Sequence, residues 1–156
     1  MRKGLKKKWK KSKKEKINDE MIVSTLDFEL LMKCILTIEN RQNTKSEDVQ
    51  LFKEKILLAQ KIDPQNFPPD VVSMNSFVKL NQVITGVTFA AKLVYPDYDN
   101  IQEFKVSVFS NLGEAIFSRK IGDEVIYRAR RKEIQIKIMD IIFQPEANGN
   151  YYIKSS

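Results

Sequence analysis

Histidine is absent from this chain of 156 residues, and cysteine and tryptophan each occur once, at Cys34 and Trp9. One cysteine without histidine cannot form a disulfide within the chain, a Cys/His zinc site or a histidine-based catalytic triad. Cys34 lies within an apolar helical pattern, which favours a small buried side chain over a nucleophile. The composition therefore excludes these cysteine- and histidine-based sites, and we expect no catalytic residues, no metal ligands and no cofactor.

Long apolar runs are also missing from the sequence. No segment reaches the roughly 20 apolar residues that span a bilayer, and the basic N-terminus is not followed by the apolar core of a signal peptide. We expect a cytoplasmic, monomeric protein that does not bind membranes.

Charge is distributed unevenly along the chain. Residues 1–16 contain ten Lys and Arg against one acid, a net charge of +9, whereas residues 17–156 contain seventeen basic and nineteen acidic side chains. Such a like-charge run is typically solvated, so we predict a disordered basic tail over residues 1–18. The tail could bind nucleic acid non-specifically, with its tryptophan stacked on a base, or it could only add solubility. The candidate contact residues are Lys6, Lys7, Lys8, Trp9, Lys10, Lys11, Lys13 and Lys14.

Two apolar stripes with helical spacing follow the tail. Their members recur at intervals of three and four residues: Phe28, Leu31, Ile35 and Ile38, then Val49, Phe52, Ile56 and Ala59. Two residue pairs have the spacing of helix capping boxes: Ser24 with Asp27, and Thr44 with Glu47. We predict an antiparallel helical hairpin, a short coiled coil, over residues 19–63 with its tip at residues 40–46. Helices of about 15 residues would span about 22 Å.

Prolines end the helical pattern, and a strand pattern replaces it. The segment "DPQNFPP" cannot continue a helix. Apolar and polar residues then alternate in runs rich in Val, Ile, Phe and Tyr, which are typical of strands: "VVSM", "FVKLNQVI", "VTFAAKLVY", "FKVSVF", "EVIYRAR" and "EIQIKIMDIIF". Leu112, Ala115 and Ile116 have helical spacing between the fourth and fifth runs. The pattern predicts an α+β domain over residues 64–156, with one short helix packed on an antiparallel sheet.

Four stretches then occur in the order seen in one known family: "FPPDVVSMNSFVKL", "LVYP", "VSVFSNLGEAIFSRKIGDEV" and "FQPEANGNYY". On these residues the chain resembles the Rnk proteins, regulators of nucleoside diphosphate kinase, which are relatives of the bacterial Gre transcript-cleavage factors. The resemblance runs from about Met21 to Tyr152 and leaves out the basic tail. It implies a C-terminal domain like that of the Gre factors, with an FKBP-like antiparallel sheet half wrapped around a short helix.

The resemblance also implies binding to bacterial RNA polymerase at the mouth of its secondary channel. In Gre-like factors the loop before the C-terminal helix grips the channel rim, and the matching residues here are Phe109, Ser110, Asn111 and Leu112. Ser110 matches the Gre pattern, whereas Asn111 stands in place of a proline and Phe109 in place of an acidic residue. We favour contact with polymerase for Asn111 and a place in the core for Leu112.

The hairpin tip decides whether the chain would stimulate transcript cleavage. Gre-type chemistry needs tip carboxylates that help to hold a second metal ion. The candidates are Glu39, Glu47 and Asp48, but Arg41 lies among them and would compete for them. Helix capping also explains Glu47 and Asp48, and the predicted hairpin is short. We therefore predict a non-enzymatic regulator that occupies the channel and competes with Gre-type factors.

Three alternative functions remain open from the sequence. The chain could be a Gre-like cleavage stimulator, a nucleic-acid or ribosome binder that acts through its basic tail, or a prolyl isomerase. The last rests on fold likeness alone, and Trp9 lies in the tail rather than in the domain where an FKBP cleft would use it. The segment "RARRKE" at residues 128–133 adds a small basic patch, which is typical of a solvated hairpin end.

Overall fold

The computed structural model describes residues 21–42, 47–96 and 100–151. The predicted basic tail and the Thr44 half of the second capping box lie outside these ranges. Among the described residues, no helix is both long enough and apolar enough to cross a membrane.

Two helices form the predicted hairpin. Helix α1 is Thr25–Gln42 and helix α2 is Glu47–Leu58. The strands β1, Ile22–Ser24, and β2, Gln60–Ile62, border the hairpin and pair in parallel. At 18 residues α1 is longer than the sequence suggests, with about 27 Å of helix rise, and at 12 residues α2 is shorter.

The start of α1 confirms one predicted cap. The Ser24 hydroxyl accepts a hydrogen bond from the Asp27 N–H at 3.0 Å, which satisfies a backbone donor that has no partner within the helix. The Asp27 carboxylate does not complete a reciprocal capping box with the Ser24 N–H, because it is used inside the fold, as described below.

Five strands form the main sheet, in the order β5-β4-β3-β7-β6. Their bounds are Phe77–Gln82 for β3, Thr88–Val94 for β4, Lys105–Ser107 for β5, Glu124–Ala129 for β6 and Lys132–Phe143 for β7. Strands β4 and β5 pair in parallel, whereas the other neighbours are antiparallel. The short helix α3, Asn111–Ile116, lies between β5 and β6 in the chain and contacts both. The α+β class and the antiparallel-rich sheet are thereby confirmed.

One apolar core joins the hairpin to the sheet. Leu80 and Ile138 face it from β3 and β7, and Phe52 of α2 belongs to the same buried cluster. The Phe52 ring meets the rings of Phe109 at 5.5 Å and Phe117 at 6.0 Å, both in edge-on geometry. The hairpin is therefore packed against the sheet domain, and the boundary between residues 63 and 64 stays a prediction.

The predicted first strand, "VVSM", is wrong. Val71 makes one isolated bridge, and the chain turns immediately afterwards. The Ser76 hydroxyl accepts a hydrogen bond from the Ser73 N–H at 3.0 Å, and Asn75 has a φ of 65°. Val71 and Val72 are fully buried, and since a buried turn has the same apolar composition as a strand, periodicity cannot separate the two.

Candidate functional site

Ser110 holds the loop before α3 in a defined conformation. Its backbone is extended, with φ −74° and ψ 160°, and its hydroxyl accepts a hydrogen bond from the Gly113 N–H at 3.0 Å. Ser110 is thus the N-cap of α3. The same hydroxyl donates to the Ser107 carbonyl at 2.6 Å. Since both hydrogen-bonding roles of the hydroxyl are used within the fold, Ser110 positions the loop rather than offering a free group to a partner.

Gly113 brings α3 directly against β5. A Cβ atom at this position would overlap the Ser107 carbonyl, with the carbonyl carbon at 2.8 Å and the Val108 Cα at 2.9 Å. Any larger residue would have to push the helix away from the strand, because the obstructing atoms belong to the backbone. The close approach of α3 to β5 therefore fixes the position of the loop relative to the sheet.

The predicted loop residues divide into inward and outward side chains. Phe109 and Leu112 pack partly buried against the core. Asn111 is exposed, and its side-chain nitrogen donates a hydrogen bond to the Arg128 carbonyl of β6 at 2.9 Å. Among the four predicted contact residues, Asn111 is the one best placed to meet a partner.

The predicted residues of the hairpin tip differ in their exposure and in their pairing. The Glu39 carboxylate lies 3.2 Å from the Lys53 ammonium across the hairpin, and its side chain is 14% exposed. Arg41 and Asp48 are exposed, and the Glu47 side chain lies outside what the structure describes. Within the described ranges, no three acidic, cysteine or histidine side chains come together as a metal site requires.

Phe52 anchors α2 to the sheet domain close to the start of the helix. Its side chain is 1% exposed between two rings of the domain. Helix α2 begins at Glu47, five residues before Phe52, which is about 8 Å of helix rise. The described part of α2 therefore extends only one to two turns beyond its contact with the domain.

A polar groove of about 280 Å³ lies beside the loop, between α2, α3 and β6. Its charged and polar lining residues are Lys55, Asn111, Glu114, Arg119, Tyr127 and Arg128. The Lys55 ammonium lies 3.8 Å from the Glu114 carboxylate. Burial raises the pKa of Glu114, although Lys55 partly opposes the shift and Asp48 adds to it. Sequence reasoning missed this groove because its residues come from three separate segments.

A second polar cluster is buried where α1 meets the sheet domain. The Asp27 carboxylate accepts hydrogen bonds from the Tyr95 hydroxyl at 3.1 Å and from the Met74 N–H at 3.2 Å. Burial, together with repulsion by Glu146, raises the pKa of Asp27 to about 7. The cluster ties the hairpin to the domain. No local motif marks it, since Asp27 and Tyr95 are 68 positions apart.

A family model and two relatives match parts of this chain. The family model of the transcription elongation factor GreA/GreB C-terminal domain matches residues 67–143. The regulator of nucleoside diphosphate kinase of Escherichia coli strain K12 is 30% identical over 96 residues, which are 61% of this chain and 71% of that protein. The transcription elongation factor GreA of Syntrophus aciditrophicus is 28% identical over 115 residues, which are 69% of this chain and 71% of that protein.

One solved structure extends the likeness to the fold. The prokaryotic transcription elongation factor GreA/GreB from Nitrosomonas europaea superposes with a TM-score of 0.66 at 23% sequence identity. The match covers 80% of this chain and 98% of that one, so it includes most of the described residues.

Proposed function

This chain belongs to the family of the regulator of nucleoside diphosphate kinase, and its residues 67–143 match the C-terminal domain of the GreA/GreB transcription elongation factors. From that premise we propose that it binds bacterial RNA polymerase at the secondary channel. It acts there as a non-enzymatic regulator, as a cytoplasmic monomer, and it competes with Gre-type factors for the same site. It uses no cofactor of its own.

The observation that best supports binding is the rigid presentation of Asn111. The Ser110 cap, the close contact at Gly113 and the hydrogen bond from Asn111 to Arg128 hold this side chain at the surface. A loop that is already ordered loses little conformational entropy when it binds. The matched family region, residues 67–143, includes the whole of this loop.

We further propose that the chain occupies the channel without stimulating transcript cleavage. Glu39 is paired with Lys53 and is largely buried, so it is poorly placed to hold a metal ion in a partner's active site. The described part of α2 ends about 8 Å beyond Phe52. Both features favour a hairpin that occupies the channel mouth over one that reaches the catalytic centre of the polymerase.

A competition experiment tests this proposal. Halted, backtracked elongation complexes of bacterial RNA polymerase are supplied with a Gre factor, and this protein is titrated in while transcript cleavage is followed. We expect it to suppress Gre-stimulated cleavage and to produce none alone. Cleavage by this protein alone would show a Gre-like stimulator, and undiminished Gre activity at saturating concentrations would exclude occupancy of the channel.

Two matched variants identify the surface involved. Asn111→Glu adds a bulky negative charge in the proposed contact loop, whereas Asn150→Glu adds the same charge at an exposed position outside it. We expect Asn111→Glu to weaken competition about tenfold or more, as removal of a central contact does, and Asn150→Glu to compete like the unmodified protein. Equal competition by both variants would argue that the loop is not the contact.

The charge of the N-terminal segment favours a second, accessory function. Residues 1–16 have a net charge of +9, and we propose that they bind nucleic acid non-specifically through its phosphates. Deleting them should weaken RNA binding at low salt and leave competition with the Gre factor largely intact. The difference in RNA affinity should vanish near 0.5 M salt, where the screening length is only a few Å. Equal RNA affinity at low salt would contradict a nucleic-acid role for the segment.

A further inference from the structure

Two arginines occupy backbone conformations that arginine normally avoids. Ala129 and Lys132 pair across the β6–β7 hairpin, so Arg130 and Arg131 form its two-residue turn. Their φ values are 50° and 70°. A turn with two positive φ values favours Asn and Gly, because a Cβ atom crowds the backbone carbonyl in this region, Gly has no Cβ, and the Asn side chain can hydrogen-bond locally. The sequence thus places two charges where uncharged residues would be more stable.

These arginines belong to a group of unpaired cations. Arg119 and Arg128 line the groove between α2, α3 and β6, and the turn begins two residues after Arg128. None of the four guanidinium groups has a carboxylate within 4 Å among the described residues. The side chains of Arg128, Arg130 and Arg131 are exposed. We call these four side chains together with Lys55 the arginine surface.

The arginine surface contrasts with the charge of the rest of the body. Residues 17–156 contain seventeen basic and nineteen acidic side chains, so they are slightly acidic as a whole. Three of its cations, Lys55, Arg119 and Arg128, line the groove together with one acid, Glu114. A second acid, Glu133, lies opposite Arg128 in the pairing of β6 with β7. Strain in the backbone together with a local excess of unpaired charge indicates a binding function rather than a stabilising one.

We propose that the arginine surface binds an acidic segment of RNA polymerase next to the rim contact. The inference rests on the proposed function, since Asn111 of the contact loop donates a hydrogen bond to the backbone carbonyl of Arg128, which places the loop beside the arginine surface so that both would face the same partner. Guanidinium groups bind carboxylates in two-pronged pairs. The exposed side chain of Ile126 in the groove adds an apolar contact for the same segment.

A protein segment fits this surface better than a nucleic acid does. Glu114 lies in the groove and Asp48 lies close enough to raise its pKa, so a continuous phosphate backbone would be repelled there. A peptide can place single carboxylates opposite the arginines and leave the acidic position empty. The aromatic side chain in the groove, Tyr127, is partly buried, so it offers little surface on which bases could stack.

A double substitution in the turn separates binding from folding. Arg130→Asn with Arg131→Gly installs the residues that this turn prefers, so the thermal unfolding midpoint should rise by about 3 to 6 °C. Affinity of the full chain for bacterial core RNA polymerase should fall about five- to thirtyfold at low salt, the effect of losing two exposed ion pairs. The difference should shrink near 0.5 M salt.

The control removes the same charge elsewhere. Lys33→Gln with Lys79→Gln neutralises two exposed lysines on α1 and β3, and polymerase affinity should change less than twofold. Turn and control variants that bind polymerase equally would overturn the inference and leave the proposed function standing. Unmodified protein that fails to bind polymerase would overturn both. A turn variant that binds polymerase normally but loses affinity for a single-stranded RNA 20-mer would also overturn the inference, because it would identify a nucleic acid as the occupant.

Discussion

The buried junction between the hairpin and the sheet domain differs from the groove beside it in how its charged groups are paired. In the junction both oxygens of Asp27 accept hydrogen bonds, from Tyr95 and Met74. In the groove, Arg119 and Arg128 have no carboxylate partner among the described residues. An unpaired charge costs much when it is buried and little when it is exposed. The junction can therefore stabilise the fold while the groove stays free to bind.

The variant with the largest expected effect on stability removes the aromatic contact between the hairpin and the sheet domain. Phe52→Ala should lower the free energy of unfolding by about 3 to 5 kcal/mol, because it empties a buried site between two rings of the sheet domain. Leu51→Ala, at a neighbouring side chain that is 50% exposed, should cost less than about 1 kcal/mol. Urea unfolding measures both values.

Hydrogen exchange shows how far the loss at Phe52 spreads. If hairpin and sheet share one core, Phe52→Ala should accelerate exchange of the β3 and β7 amides as well as those of α1 and α2. Exchange that accelerates in the helices alone would mean that the hairpin is an independent unit.

The next test widens the gap between α3 and β5. Gly113→Ala forces a Cβ against the Ser107 carbonyl, and we expect a loss of about 3 kcal/mol from this overpacking. Gly86→Ala is the control, since it introduces strain at a φ of 76° where no atom obstructs a Cβ, and should cost about 1 kcal/mol. If Gly113→Ala and Gly86→Ala both lowered the free energy of unfolding by about 1 kcal/mol, α3 would be able to move away from β5 at little energetic cost.

Asp27 makes the junction sensitive to pH. Folding raises the pKa of Asp27 from 3.8 to about 7. Between pH 3.8 and pH 7 the folded state therefore keeps a proton on Asp27 that the unfolded state has released. Stability from this group is therefore greatest at low pH and declines as pH rises to 7. We expect a loss on the order of 2 kcal/mol between pH 5 and pH 8.

Asp27→Asn should remove most of this pH dependence, because the amide resembles the protonated carboxyl and the Tyr95 hydroxyl can accept from it. Urea midpoints across pH 5 to 8 provide the measurement, with Asp63→Asn on the surface as control. Glu146, whose pKa burial also raises, would sustain a smaller residual slope. If the urea midpoint of Asp27→Asn still declined with pH as steeply as that of the unmodified protein, another group would be responsible for the pH dependence.

The smallest expected change in stability is that of a substitution in the groove. Glu114→Gln removes the carboxylate that lies 3.8 Å from Lys55. Since the two groups are at the limit of ion-pair distance and Lys55 is exposed, stability should change by no more than about 0.5 kcal/mol. Polymerase affinity should instead rise a few-fold, because the variant removes the negative charge that faces an acidic partner. Weaker binding by the variant would mean that Glu114 itself contacts a cation on the partner.

Local sequence signals predicted the elements better than the site. The helical stripes, the Ser24 cap and the alternating runs of β3, β4, β6 and β7 all depend on neighbours within a few positions, and these elements formed. The parallel pairing of β5 with β4 and the turn after Val72 were not foreseen. The pairing depends on where the chain returns after the loop that follows β4, which periodicity does not encode. The turn is buried, and its apolar composition is the same as that of a strand.

The sequence by itself determined the α+β class, the helical hairpin, the family and the excess of basic residues near the N-terminus, because composition and short-range spacing carry these properties. Tertiary structure alone decided that Asp27 meets Tyr95 across 68 positions and that Lys55, Asn111 and Arg128 border one groove. The physical reason is that burial and charge pairing depend on which surfaces meet when the hairpin packs on the sheet. In separate elements Asp27 and Tyr95 would be solvated, and their pKa values would stay near the ordinary ones.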